Sequence, residues 1–218
     1  MKLRVLLLLL FLVPATALAQ NYRKDQWEFS FSPVLTESKN YSFEGGTTVK
    51  QDTGYGWGLG LAKNLNPHFS LGGDLVWGSA NWRATVQPGT GNALASQTMN
   101  GYIETYTVRF NGTYNVLAGN FTPFLTGGLG WTYIDTNVPA GLPQNTCWYY
   151  PWYGTVCSTY TPTQSTTRFS YNAGAGLRYD FNRSFFGRAM VNLQSVDFGG
   201  SYGSTYVRQG RIDFGFKF

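Results

Sequence analysis

The run Phe169-Ser170-Tyr171-Asn172-Ala173-Gly174-Ala175-Gly176-Leu177-Arg178-Tyr179-Asp180-Phe181 alternates, residue by residue, between apolar side chains and small, polar or charged ones. A period of two puts the two sets on opposite faces of an extended strand, where a helix would mix them. The same period returns through Trp27, Phe29 and Phe31; Tyr55, Trp57, Leu59 and Leu61; Phe69, Leu71, Leu75 and Trp77; and Tyr106, Val108 and Phe110. It continues through Leu125, Leu129, Trp131 and Tyr133; Phe185, Ala189, Val191 and Leu193, with Phe186 in the opposite row; and finally Ile212, Phe214, Phe216 and Phe218. Eight strands is an even number, as a closed antiparallel barrel requires. About ten residues at ~3.3 Å each, tilted ~40°, span ~25 Å, the height of the apolar band of an outer-membrane barrel.

The segments between strands alternate in length. Long polar connections at 36–53, 80–100, 135–166 and 197–204 take turns with short ones at Asn64–Pro67, Asn115–Asn120 and Asn182–Ser184. Tight turns on the periplasmic side and long loops outside are the transmembrane pattern. The expected fold is therefore all-β: an eight-stranded antiparallel up-and-down transmembrane β-barrel with short periplasmic turns and long extracellular loops.

Which row faces inward separates this fold from a soluble, lipocalin-like barrel, where the bulky row would fill the interior. Only 12% of the 218 residues are charged while 17% are aromatic; soluble domains carry about 25% charged residues. Gly54, Gly56, Gly58 and Gly60 suit a crowded lumen better than a wet surface. Trp27, Tyr55, Trp77, Trp131, Tyr133, Tyr179 and Phe181 gather near strand ends, as interfacial girdles do. The mean hydropathy of −0.21 fits apolar character spread by alternation. A net charge of +5 on singly scattered Lys and Arg argues against a nucleic-acid surface.

At the amino terminus, Lys2 and Arg4 precede a short apolar run from Val5 to Val13, then Pro14, and Ala17-Leu18-Ala19 offers a small-x-small cleavage site. Residues 1–19 are read as a cleaved signal peptide and 20–218 as the barrel domain, exported and without a lipobox cysteine. Cys147 and Cys157, with nine residues between them, are the chain's two cysteines. After export a disulfide is favoured over a metal pair, which lacks neighbouring ligands, or two free thiols. A ring of that size contributes roughly 3 kcal/mol by loop entropy.

The chain closes in mid-alternation on Ile212-Asp213-Phe214-Gly215-Phe216-Lys217-Phe218, which resembles the terminal strand signal of outer-membrane barrels. The runs Pro123–Trp131 and Asn172–Tyr179 resemble the fifth and sixth strands of the small OmpA/OmpW-like outer-membrane β-barrel family, a porin-family likeness covering residues 20–218. The resemblance implies the bacterial outer membrane and its lipid and lipopolysaccharide as surroundings. It also implies that the assembly machinery engages Phe214, Phe216 and Phe218.

Some barrels of this architecture are lipid-modifying enzymes that rely on histidine. The single His68 lies beside the Asn66-Pro67 turn, on the periplasmic side, away from outer-leaflet chemistry, and reads as a solvated turn residue. The expectation is no catalysis, no cofactor and no metal site. The Gly54–Gly60 run opens no helix, so it fails as a dinucleotide motif. Glu28, Asp74, Arg109, Arg178, Asp180, Arg188, Arg211 and Asp213 all fall on the inward row. An eight-stranded lumen is only wide enough for side chains, so these charges are expected to pair and plug it, with Arg188 and Arg211 reaching Glu28 and Asp213. A gated, charge-lined channel is the alternative.

The third long loop holds Trp148, Tyr149, Tyr150, Trp152 and Tyr153 between the cysteines. Such rings on a constrained loop are typical of recognition hot spots for an extracellular ligand, or else pack on each other or dip into the outer interface. Two functions remain open: a non-enzymatic structural and surface-interaction barrel, or a small channel for ions or hydrophobic solutes.

Overall fold

The computed structural model describes residues 23–42, 48–86, 97–197 and 204–218. The proposed leader lies outside them. The strands are β1 (Trp27–Thr36), β2 (Lys39–Ser42), β3 (Thr48–Gln51), β4 (Gly54–Asn64), β5 (Phe69–Val86) and β6 (Gln97–Asn115). They continue as β7 (Phe121–Pro139), β8 (Gln144–Tyr150), β9 (Gly154–Tyr160), β10 (Thr163–Asp180), β11 (Phe185–Asp197) and β12 (Ser204–Lys217).

Eight of these form a closed ring. Hydrogen-bonded neighbours run β5-β4-β1-β12-β11-β10-β7-β6, and β6 pairs back onto β5. Every pairing is antiparallel, and the first and last strands meet directly, with Glu28 opposite Lys217 and Thr36 opposite Gln209. Backbone bonds between Trp27 and Phe218, at 2.8 and 2.9 Å, finish the seam. Closure leaves no strand edge for lipid to meet, which is what lets a sheet span a bilayer.

The faces sort by size. Phe31, Leu61, Leu75, Phe110, Leu129, Leu177, Val191 and Phe214 are exposed on the outer wall. Glu28, Ser30, Arg109, Thr132, Asn172, Arg178, Asn192 and Asp213 are buried inside. A soluble barrel would reverse this. On the outer wall Trp57, Trp77, Tyr106 and Tyr133 occupy one cross-strand register. Their rings follow each other at 5.8, 6.4 and 6.1 Å, a continuous aromatic band over four strands. Along β7, Phe121 to Tyr133 covers roughly 30 Å of membrane normal at ~3.3 Å per residue and ~40° tilt.

Pairing runs further than the sequence periodicity indicates. β5 continues to Val86 and β6 begins at Gln97, so much of the 80–100 connection is strand. Likewise β7 and β10 stay paired out to Pro139 and Thr163. Beyond the bilayer both faces meet water, so the ladder continues without the apolar row that marks it lower down. Where β1 and β4 end, the β2–β3 hairpin continues the wall by pairing with the tall end of β5. The β8–β9 hairpin forms a separate two-stranded sheet.

Candidate functional site

The lumen is built in layers from the inward rows. At the turn end, Asp180 is fully buried and receives three cations: Arg23 at 2.6 Å, Lys217 at 2.8 Å and Arg178 at 2.9 Å. Arg178 spans from there to Glu28, donating Nη1 to Oε2 at 3.0 Å and Nη2 to Oε1 at 2.6 Å. Asn64 donates to the same carboxylate at 2.7 Å. Arg23 also donates to the carbonyls of Leu117 and Gly119, which fastens the segment before β1 across the turn mouth.

Above this cluster lies Phe186, 1% exposed. The Arg178 guanidinium sits 4.4 Å from its ring centroid and that of Arg188 5.1 Å, so one ring lies against two cations. The ring occupies the space above Gly215, where any Cβ would collide with it. A second cluster follows. Asp213 accepts from Arg188 at 2.8 Å and Arg211 at 2.5 Å; Arg211 reaches Asp74 at 2.8 Å, and Arg109 lies 3.6 Å from Asp74. Gly60 leaves room here too: a Cβ on it would stand 2.7 Å from Asp74 Oδ1, and that carboxylate would have to shift. Turning the Asn192 amide brings its oxygen to 3.0 Å from Arg109 Nη1, while the buried Arg109 Nε has no protein partner. About 40 Å³ of free space remains in this layer, enough for a few waters.

A belt of neutral hydrogen bonds closes the middle. Gln194 Nε2 donates to Thr132 Oγ1 at 2.9 Å, Thr132 donates to Ser170 Oγ at 3.1 Å, and Thr107 and Thr132 share a bond of 3.0 Å. Beyond it the character of the lumen changes. Ile103, Ile134, Val196 and Val207 line a chamber of about 110 Å³, with Ala80 and several threonines, and Tyr41 and Gln51 at its border. Burial there pushes the Tyr41 hydroxyl above its ordinary pKa.

All eight inward charges named from the sequence point into the lumen, but their partners differ in one respect. Arg188 and Arg211 meet Asp213 and not Glu28. Glu28 lies opposite Lys217, whereas Arg211 lies opposite Val34, six residues higher on β1. Arg178, at the lower level, takes Glu28 instead. Two participants escape sequence reading. Lys217 stands in the inward row at the very end of the chain, and Arg23 precedes the first strand, where there is no alternation to place it. The apolar upper chamber also departs from the expected polar interior.

The β8–β9 hairpin carries the remaining candidates. Cys147 and Cys157 are register partners joined by a disulfide. The hairpin turns at Gly154, whose φ of 77° suits glycine. Trp148 and Tyr150 share one face with their rings edge to face at 6.3 Å. Trp152 is 90% exposed and Tyr153 85%, and every residue of β8 is exposed. Outside, Phe214, Phe216 and Phe218 form an exposed row on the closing strand. At the opposite end of the barrel from the hairpin, His68 Nδ1 lies 2.9 Å from the Asn115 carbonyl and its ring stacks on Tyr114. Among the described residues no group of three or more His, Cys, Asp or Glu could hold a metal ion.

An apolar exterior between aromatic girdles, wrapped around an ionic interior, defines an eight-stranded transmembrane barrel of the bacterial outer membrane. The outer wall accordingly faces lipid and lipopolysaccharide. The chain belongs to the outer membrane protein beta-barrel domain family, whose model matches residues 5–218. Among solved structures, the outer membrane protein OprG from Pseudomonas aeruginosa is similar with a TM-score of 0.53 at 13% identity, over 91% of this chain and 98% of that one. Ail, the attachment invasion locus protein of Yersinia pestis, solved with the heparin analogue sucrose octasulfate, gives 0.49 at 14% identity, over 89% and 99%. The N-terminal β-barrel domain of Pseudomonas aeruginosa OprF gives 0.47 at 15% identity, over 91% and 100%. At such identities the likeness is one of fold. No curated protein matches the sequence.

Proposed function

We propose that this protein is a non-enzymatic surface-interaction barrel: a lumen plugged by its own side chains, serving as a rigid anchor for an extracellular recognition hairpin. The observation that carries the reading is the contrast between the two parts. The interior holds two ion-pair clusters and a hydrogen-bonded belt in series, while the disulfide-tied hairpin leaves Trp152 and Tyr153 almost wholly exposed. Positions 136–167 contain no charged residue or histidine, so those rings stand in a neutral surround. Exposed Trp and Tyr on a constrained loop bind at low entropic cost. The C-terminal row of Phe214, Phe216 and Phe218 is the segment that the outer-membrane assembly machinery engages in this reading.

A small channel is the second reading, favoured by one observation. The two clusters hold six cations (Arg23, Arg109, Arg178, Arg188, Arg211, Lys217) against four carboxylates (Glu28, Asp74, Asp180, Asp213). A surplus of positive charge would select anions. Planar-bilayer recording separates the two readings. The plug gives no steady conductance. A steady, anion-selective current that changes when Arg188 or Arg211 is replaced by Gln would reject it.

A further inference from the structure

We propose that the middle of the lumen is a binding site for one small monovalent inorganic anion, a halide, as the counter-ion of Arg109. Among the described residues, the second cluster sets three guanidinium groups, on Arg109, Arg188 and Arg211, against two carboxylates, on Asp74 and Asp213. Both carboxylates are committed. Asp213 accepts from Arg188 and Arg211, and Asp74 accepts from Arg211 and, at 2.8 Å, from Asn111. Arg109 is left with the longest ion pair of the layer, 3.6 Å, and with an Nε that no protein atom meets. The residue is only 2% exposed, so solvent screens its charge little. Burying a charge short of a partner is strongly unfavourable, and an ion of opposite sign removes that penalty. The turn-end cluster has the same three-to-two count, but there Arg23 and Lys217 also donate to the carbonyls of Leu117, Gly119 and Asn182. Arg109 gains one neutral oxygen, that of the turned Asn192.

The room is in the same layer. About 40 Å³ is free there, and Arg109, Arg188 and Arg211 all border it. A chloride ion is only a little wider than a water molecule, so it fits where a few waters do. Asn111 borders the space as well; it gives one amide hydrogen to Asp74 and keeps a second to donate. Charge and size set the class. A surplus of one is cancelled by a monovalent anion, whereas a divalent one would leave the layer negative and a cation would be repelled. A chain as long as gluconate exceeds the space. The Gln194 belt lies on one side and the Phe186 ring on the other, so the ion is a resident of the plug and not a passenger through it. The inference does not rest on the hairpin's role.

The test is urea unfolding of the protein in phosphatidylcholine vesicles, with chloride exchanged for gluconate at constant ionic strength. One bound ion means that, above its dissociation constant, each tenfold rise in chloride lowers the unfolding equilibrium constant about tenfold. Arg109→Gln removes the surplus charge, and Asn192→Asp supplies a fixed carboxylate beside it. Both variants are expected to lose the chloride dependence, and the second serves if the first does not fold. Bromide soaked into crystals is expected to give an anomalous-scattering peak inside the barrel, next to Arg109. A wild-type protein indifferent to chloride, a dependence that the variants keep, or bromide confined to the outer surface would each overturn the site. None of these results bears on the hairpin, and current through the lumen is a separate measurement.

Discussion

Arg178 on β10 and Glu28 on β1 form a two-pronged ion pair across the lumen, at 3.0 and 2.6 Å, with both residues almost fully buried. Neither strand is hydrogen-bonded to the other in the sheet. The pair therefore acts as a strut through the interior. Removing Arg178 leaves the buried Glu28 carboxylate with Asn64 in place of its cation, and stranding a charge away from water costs about 3–5 kcal/mol. Arg178→Met is expected to lose stability in that range by urea unfolding in lipid vesicles, followed by Trp fluorescence. Glu28→Leu combined with Arg178→Met is expected to lose less than the single variant, because Asp180 keeps Arg23 and Lys217. A double variant as unstable as the single one would contradict the strut.

Gly215 and Phe186 make a steric couple. A methyl at 215 would meet the Phe186 ring and the Phe29 carbonyl. Gly215→Ala is expected to cost about 1–3 kcal/mol, as overpacking does. Pairing it with Phe186→Ala should recover only the share that the ring contributes. The carbonyl contact remains, so full recovery in the same unfolding assay would argue against the geometry.

The aromatic band makes depth measurable. Trp57, Trp77 and Trp131 lie at one girdle and Trp27 at the other, whereas Trp148 and Trp152 stand on the separate hairpin. In single-Trp variants, lipids brominated on the acyl chain are expected to quench the girdle set and leave Trp148 and Trp152 bright. Quenching of the hairpin pair would place it in the interface and remove it as a recognition surface.

Among the described residues the hairpin makes its extensive contacts only within itself. Cys147→Ser with Cys157→Ser is therefore expected to leave barrel stability unchanged to within about 0.5 kcal/mol. Amide exchange across β8 and β9 should rise sharply in the same protein. A fall in the barrel's unfolding midpoint would show that the hairpin braces the wall.

The eight spanning strands were legible because lipid imposes a one-sided demand: every second residue must be apolar wherever hydrocarbon is the solvent. That demand ends at the girdle, so β2, β3, β8, β9 and the upper reaches of β5 and β6 left no periodic mark. The inward charges were legible for the same reason, since Arg178 and Asp213 interrupt nothing on the outer row. Their pairing was not, because it depends on height in the barrel, which comes from register and tilt. Phe186 shows the limit. Its parity with Arg188 and Asn192 sets it inward although its size suits the outer row, and what the sequence does not show is the hollow at Gly215 opposite that receives the ring.

The turn at Gly154 carries a practical corollary. Because it tips a covalently tied hairpin whose extensive contacts among the described residues are its own, a short epitope inserted between Trp152 and Gly154 would be carried on a stalk clear of the cell surface while the spanning wall folds as before. Antibody staining of intact cells would then count correctly inserted molecules one by one, with no tag disturbing Arg23 at the other end.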